Sequence, residues 1–361
     1  MTPLTVSAAM ARAPGDRSLA EAVALGILAL CVAVMAVLAI GIGPSALSPD
    51  RVVRILAAGP DTRAFPLGEV VIVWQIRLPR AIMAVLIGAM LALGGAIMQG
   101  LFRNPLADPA ILGVSNGAAL GAVSMIVLGG GALAPLTAIL GGYALPLAAF
   151  VGALAATLAL YAIATRGGST SVATMLLAGV ALAAFAAAIM GYLAFLSDDT
   201  QLRDLTFWNL GGLGGVTWEK VMITGPIMLA IVASAPLLAR GLDALVLGEA
   251  EAFHMGLRVE AMKRLAILLV AAATGVAVAV SGTIGFVGIV VPHLLRLAVG
   301  ANHRFLIPAS SLGGALLMLV ADIGARLLVA PAELPIGIIT AAIGAPFFLW
   351  LLMRRRAFEG F

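Results

Sequence analysis

Apolar residues run along this chain in long blocks, and polar residues collect between them. Ten blocks approach the roughly 20 apolar residues that a helix needs to cross a bilayer. They fall at about 20–42, 81–101, 111–129, 144–164, 173–196, 221–239, 265–281, 284–299, 305–328 and 335–353. The third and eighth are short and are expected to lie embedded in the bundle. The longest polar insertions are 50–77, 198–220 and 240–264. The pattern predicts an all-α polytopic membrane protein of about ten spans. It forms a single domain over 1–361, with a cytoplasmic tail at 1–19 and the main cytoplasmic loop at 240–264. Gly113, Gly117 and Gly121 recur every four residues, and Gly88 with Gly95 and Gly337 with Gly344 stand a heptad apart. Such spacing predicts faces where helix backbones approach closely.

Composition narrows the class. Of 361 residues 62% are hydrophobic and 11% charged, against about 25% charged in a soluble domain. This excludes a soluble enzyme, a disordered chain and a disulfide scaffold. Lone Cys31 sits in an apolar run and is expected to be a small core hydrophobe. No block of five or more like charges occurs, so nucleic acid is not an expected partner. Arg12 and Arg17 precede the first run, which reads as an uncleaved first helix. Ten spans put both termini on one side. With the termini in the cytoplasm, thirteen of the 21 Lys and Arg lie inside and eight outside, the bias of the positive-inside rule.

The chain carries no nucleotide-binding loop of the G-x-x-x-x-G-K-[ST] type, because neither Lys220 nor Lys263 follows a glycine. The H-E-x-x-H, C-x-x-C and G-x-S-x-G signatures are absent too. His254, His293 and His303 are far apart and read as packing or interfacial residues. Most helix centres lack the ionisable groups that an intramembrane enzyme or an ion-coupled transporter would need. The chain reads as a passage driven by something else, with no cofactor or metal of its own.

Four polar features remain. Phe102–Pro109 is a compact break that serves either as a plain connection or as a constriction, with Asn104 and Leu106 at the cytoplasmic mouth. Leu247–Leu257 is a short amphipathic stretch bracketed by Gly248 and Gly256, with Ala252, Phe253 and Leu257 as its apolar face. It is either a solvated loop helix or a docking knob. Asp322 and Arg326 are spaced to pair along a helix. Arg77 and Arg80 flank Pro79 and either snorkel to the interface or accept carboxylates from outside.

Together these stretches resemble one family, the FecCD-type permeases of type II ABC importers for heme, iron-siderophores and cobalamin. The matching runs are WQIRLPR from Trp74, GGAIMQGLFRNPLADPAILGVSNGAALG from Gly94 and FWNLGGLGGVTW from Phe207. LGEAEAFHMGL from Leu247, SGTIGFVGIVVPHLLR from Ser281 and ADIGARLLVAPAELPIGIITAAIGAPFFLWLL from Ala321 complete the set. The resemblance covers about residues 70–353.

It implies a second copy of the chain around a central path, two cytoplasmic ATP-binding subunits that carry ATP and Mg, and a periplasmic binding protein. Arg77, Arg80 and Arg326 would match arginines that receive acidic residues of the binding protein. Gly248, Glu249, Ala252, Phe253, Gly256 and Leu257 would match the coupling helices. Asn104 and Leu106 would match part of a cytoplasmic gate, and Ser171, Val172 and Ala173 another part. Val172 and Ala173 stand where family members can carry hydroxyls. Met175, Leu176, Ala183 and Met190 would line the path, with ordinary packing as the alternative for each Met. GLFRNPLADP, SDDTQLRDLTFW from Ser197 and ANHRFLIP from Ala301 are more like heme permeases, whereas VWQIRLPR, GVSNGA and ADIGARLLVAPAELPIG are equally close to the cobalamin type. Heme is the expected cargo, with cobalamin or a ferric siderophore as alternatives.

Overall fold

The structure, a computed structural model, describes residues 14–43, 47–109, 113–166 and 169–356. Each apolar block is a helix: α1 (Pro14–Gly41), α4 (Leu78–Leu101), α5 (Val114–Leu128), α7 (Ala144–Ala164), α8 (Val172–Phe195), α10 (Trp218–Ser234), α13 (Val259–Ser281), α14 (Val287–Val299), α15 (His303–Leu327) and α16 (Ile336–Arg356). Among the described residues, seven helical stretches are long and apolar enough to cross a membrane, and α5, α14 and Ile336–Leu351 of α16 are shorter apolar helices. The first helix begins at Pro14, so the expected tail at 1–19 is partly helical; residues 1–13 lie outside the described residues.

The polar insertions are folded. The first holds α2 (Pro49–Ala58) and α3 (Leu67–Val71), and the second holds α9 (Asp199–Leu210). The third holds α11 (Ala239–Leu247) and α12 (Glu249–His254); α6 (Ala134–Leu140) precedes α7. Asp198 and Gln201 form a capping box that starts α9. The strands β1 (Thr165–Arg166) and β2 (Ser169–Thr170) make one minimal antiparallel hairpin, Thr165 opposite Thr170.

At the centre is α4, buried from Pro79 to Leu101 at nearly every position. A helix apolar on all sides has no face to offer water, and it sinks into the bundle. It packs against α15, α13, α14 and α10. The heptad glycines explain how neighbours come so close. A Cβ on Gly88 would strike the carbonyl of Gly314 in α15, and one on Gly95 would strike the backbone of Gly288 in α14. Gly117 and Gly121 meet Gly152 and Ala148 of α7 in the same way, while Gly344 meets Phe286. Gly113 departs from that role: it is the left-handed N-cap of α5 at φ 70°.

A π-helical turn over Ile72–Arg77 joins α3 to α4, directly before Pro79, whose missing N–H disturbs the regular ladder there. α4 and α15 run antiparallel, so Arg80 meets Asp322 at one end, whereas Gly100 lies beside His303 at the other. These are called below the arginine end and the α12 end. Cys31 is exposed on α1, which corrects its expected place in the core. The sequence alone could not tell a lipid-facing apolar position from a buried one.

Candidate functional site

At the arginine end the three cations are buried. Arg77 and Arg80 are 7% exposed and Arg326 is 4% exposed. The sequence of α1 ends there with orphan carbonyls, as any helix does. Arg77 donates Nη1 to the carbonyls of Ile40 (2.7 Å) and Gly41 (2.8 Å). Arg326 donates to those of Ala39 (2.8 Å) and Ile42 (2.6 Å). Two guanidinium groups thus cap one helix C-terminus, where positive charge also suits the dipole. Asp322, 1% exposed, accepts from Arg80 Nε at 2.8 Å and pairs with Arg326 Nη2 at 3.0 Å. Glu333, from the loop before α16, takes Arg80 Nη1 at 2.9 and 2.8 Å.

In this geometry Arg77, Arg80 and Arg326, the expected docking residues, are bonded within the bundle. Their donors point inward and are taken by helix carbonyls and carboxylates, and a partner's acid would have to displace those bonds. The expected pairing of Asp322 with Arg326 is present. Exposed cations at this end are Arg54, Arg63 and Arg203. Arg54 pairs with Asp50, which its own helix's Ser48 and Arg54 hold below the usual carboxylate range. A cleft of about 380 Å³ opens here, lined by Trp208, Lys220, Glu333 and the glycines at 211–215.

At the other end, α12 stands between two glycines in the left-handed half of conformational space, Gly248 at φ 127° and Gly256 at φ 83°. Only glycine adopts such angles without strain. The helix is anchored by Ala252, which is 0% exposed, and by half-buried Leu257. These two members of the expected apolar face point inward. What protrudes is Phe253, 68% exposed, with Met255 and Leu247 beside it. Periodicity over six residues does not fix a helix's rotation, so the sequence does not single out Met255 within this stretch.

The foot of α12 is tied down by a residue that sequence reasoning missed. The side chain of Lys263, in the first turns of α13, is 3% exposed. Its Nζ donates to Glu249 Oε2 (2.7 Å), Glu260 Oε1 (3.2 Å) and the Thr170 carbonyl (3.3 Å). The only available signal was one of two lysines lying beside an apolar run.

The gate segments lie near this end. Exposed Asn104 accepts the N–H of half-buried Leu106 on Oδ1 at 3.0 Å, a side-chain turn that closes the loop after α4. Ser171 is the N-cap of α8, with Oγ accepting from Thr174 N–H at 3.3 Å. Ala173 is exposed, and the side chain of Val172 lies outside the described residues.

Along α8, Met175 is 1% exposed and belongs to the core. It is a packing residue, which corrects its expected place on the path. Leu176, Ala183 and Met190 are half-buried. Met190 lines a half-open cleft of about 290 Å³ together with Asp108, Asn116, Asn209 and Thr274. The open face of α8 carries Leu177, Val180, Ala184, Ala187 and Phe195 instead.

Among the described residues no group of three or more His, Cys, Asp or Glu could hold a metal ion. His303 is buried and contacts Asp243 Oδ1 through Nδ1 at 2.7 Å.

A buried central helix ringed by apolar helices, with an exposed knob on a glycine-bounded loop, is the architecture of a membrane permease. The chain belongs to the FecCD transport family, whose pattern matches residues 30–354. It is 47% identical over 285 residues to the hemin transport system permease protein HmuU of Yersinia pestis, covering 79% of this chain and 84% of that one. It is 45% identical over 288 residues to the vitamin B12 import system permease protein BtuC of Klebsiella pneumoniae, covering 79% and 83%. A solved inward-facing metal-chelate type ABC transporter superposes with a TM-score of 0.80 at 33% identity, covering 91% of this chain and 98% of that one.

Proposed function

We propose that this chain is the permease subunit of an ATP-driven importer that moves heme across the bacterial inner membrane. Two copies enclose the path, and two ATP-binding subunits dock at the α12 end. A periplasmic binding protein delivers cargo at the arginine end. ATP and Mg belong to the ATP-binding subunits. Both termini are then cytoplasmic, in line with thirteen of 21 basic residues on that side. Phe253 and Met255 form the knob that enters a cleft of the ATP-binding subunit. The open face of α8 lines the path, and its apolar character suits a large flat chelate that is passed on without tight binding. The buried arginines shape the periplasmic end from inside, and exposed Arg54, Arg63 and Arg203 are the charges a binding protein would meet.

The observation that carries heme is the 47% identity to a hemin permease over 79% of the chain. The 45% identity to a vitamin B12 permease keeps cobalamin as the second reading. Proteoliposomes holding this permease, its ATP-binding subunit and its binding protein test both. Heme, cobalamin and a ferric siderophore are offered separately, and ATP hydrolysis and uptake are followed together. Stimulation and uptake by heme alone support the proposal. Stimulation by cobalamin alone keeps the architecture and replaces the cargo. Failure to assemble with an ATP-binding subunit defeats the importer reading.

A further inference from the structure

We infer that Lys263 is the positioning residue through which α12 moves the β1–β2 hairpin and the start of α8. This deepens the proposed function and rests on it. An ammonium has three donors, and Lys263 directs them to three different elements: Glu249 begins α12, Glu260 lies in α13 and Thr170 ends β2. Glu260 completes the clasp. Its Oε2 accepts the N–H of Thr170 at 3.1 Å, so both backbone groups of Thr170 are held by the same ion pair. From Thr170 the path is short. Thr170 Oγ1 contacts Thr165 Oγ1 at 3.1 Å across the hairpin. The next residue, Ser171, donates its N–H to Ala164 at the end of α7 (3.0 Å) and caps α8.

A lysine retained only for stability could be satisfied by Glu260, three residues away on its own helix. The bond to Glu249 has a different consequence. It fastens the interior to the one segment that is bounded by glycines in left-handed conformations and carries exposed Phe253. A push on the knob is resisted at Ala252 and transmitted at Glu249. Because Lys263 is buried, parting it from Glu249 leaves one donor of its ammonium without a partner, so α12 and the hairpin move together.

The test uses the assembled importer with Cys31→Ser and Ala173→Cys. Ala173 is exposed in the first turn of α8, and its thiol reports gate movement by its rate of reaction with a membrane-impermeant maleimide. In the parent, that rate changes between the nucleotide-free and the ATP–vanadate-trapped complex. With Lys263→Met the ATP-dependent change is lost. Heme moved per ATP hydrolysed falls about tenfold, the scale of one lost hydrogen bond to a charged group. Glu249→Gln, at a half-exposed position that tolerates substitution, shows the same loss in smaller measure. This keeps the test decisive if Lys263→Met does not assemble. A parental ATP-dependent change and parental uptake per ATP in Glu249→Gln and in any assembled Lys263→Met would overturn the inference. If the parent itself shows ATP hydrolysis with no change at position 173 and no uptake, the transport reading falls, and this inference falls with it.

Discussion

Arg80 and Asp322 stand 242 positions apart in sequence and meet at 2.8 Å inside the bundle, where Asp322 is 1% exposed. Asp322 also neutralises Arg326, and the two arginines have no other buried carboxylate among the described residues. Replacing it with Ala leaves buried Arg326 with no carboxylate and Arg80 with only half-exposed Glu333, a loss of about 3–5 kcal/mol. Thermal unfolding in detergent should show Asp322→Ala far below wild type, and the deficit should persist at high salt because the pair is shielded from solvent. An undisturbed melting temperature would return the arginines to a surface role.

Phe253 presents the opposite case. It is 68% exposed, so Phe253→Ala should change the stability of the isolated chain by less than about 0.5 kcal/mol. Its effect should appear only on assembly. An exposed aromatic seated in a partner's cleft is a typical binding hot spot, worth about 2 kcal/mol or more. Co-purification with the ATP-binding subunit should fall correspondingly, measured by titration in detergent. Equal affinity for wild type and variant would remove the knob from the interface.

The ten helices of the apolar blocks were legible from the blocks themselves, most plainly where the length matches a bilayer, whereas the short helices of the polar insertions, such as α2 and α9, were not. The coupling segment was legible from Gly248 and Gly256. The fates of individual side chains were not. Arg77, Arg80 and Arg326 looked like surface charges because their partners, the last carbonyls of α1 and Glu333, lie far away in sequence. Met175 and Leu177 are chemically alike, yet one is 1% and the other 74% exposed. A helix apolar all round carries no moment to tell its faces apart. The contacts of Lys263 are not legible in the sequence because they depend on three elements meeting.

The heptad glycines give a paired test of close packing. In Gly95→Val the new side chain collides with the backbone of Gly288, which cannot rotate away as a flexible side chain could. Overpacking of this kind costs about 1–3 kcal/mol and often more. Gly26, in the middle of α1, has no neighbour within 4 Å among the described residues. Gly26→Ala should therefore be neutral, or gain up to about 1 kcal/mol from helix propensity. Opposite shifts in melting temperature are expected. Equal behaviour of the two would mean that α4 and α14 are less close than the structure shows.

The open face of α8 separates a path from a lipid contact. Reaction with a maleimide requires a thiolate, which forms in water and not in hydrocarbon. In a Cys31→Ser background, cysteines at Val180 (66% exposed) and Ala184, both on the open face, should react with a water-soluble maleimide in the assembled permease if the proposed path runs along α8. Met175→Cys should stay inert, since that position is 1% exposed. Ile27→Cys is the informative control: at 57% exposure on α1 it is nearly as open as Val180, yet it would face lipid and should not react. Reactivity at 180 and 184 but not at 27 assigns water to the α8 face, and bound heme should then slow those two sites selectively. If 180 and 184 are as unreactive as 27, α8 faces lipid and the path must run along another helix.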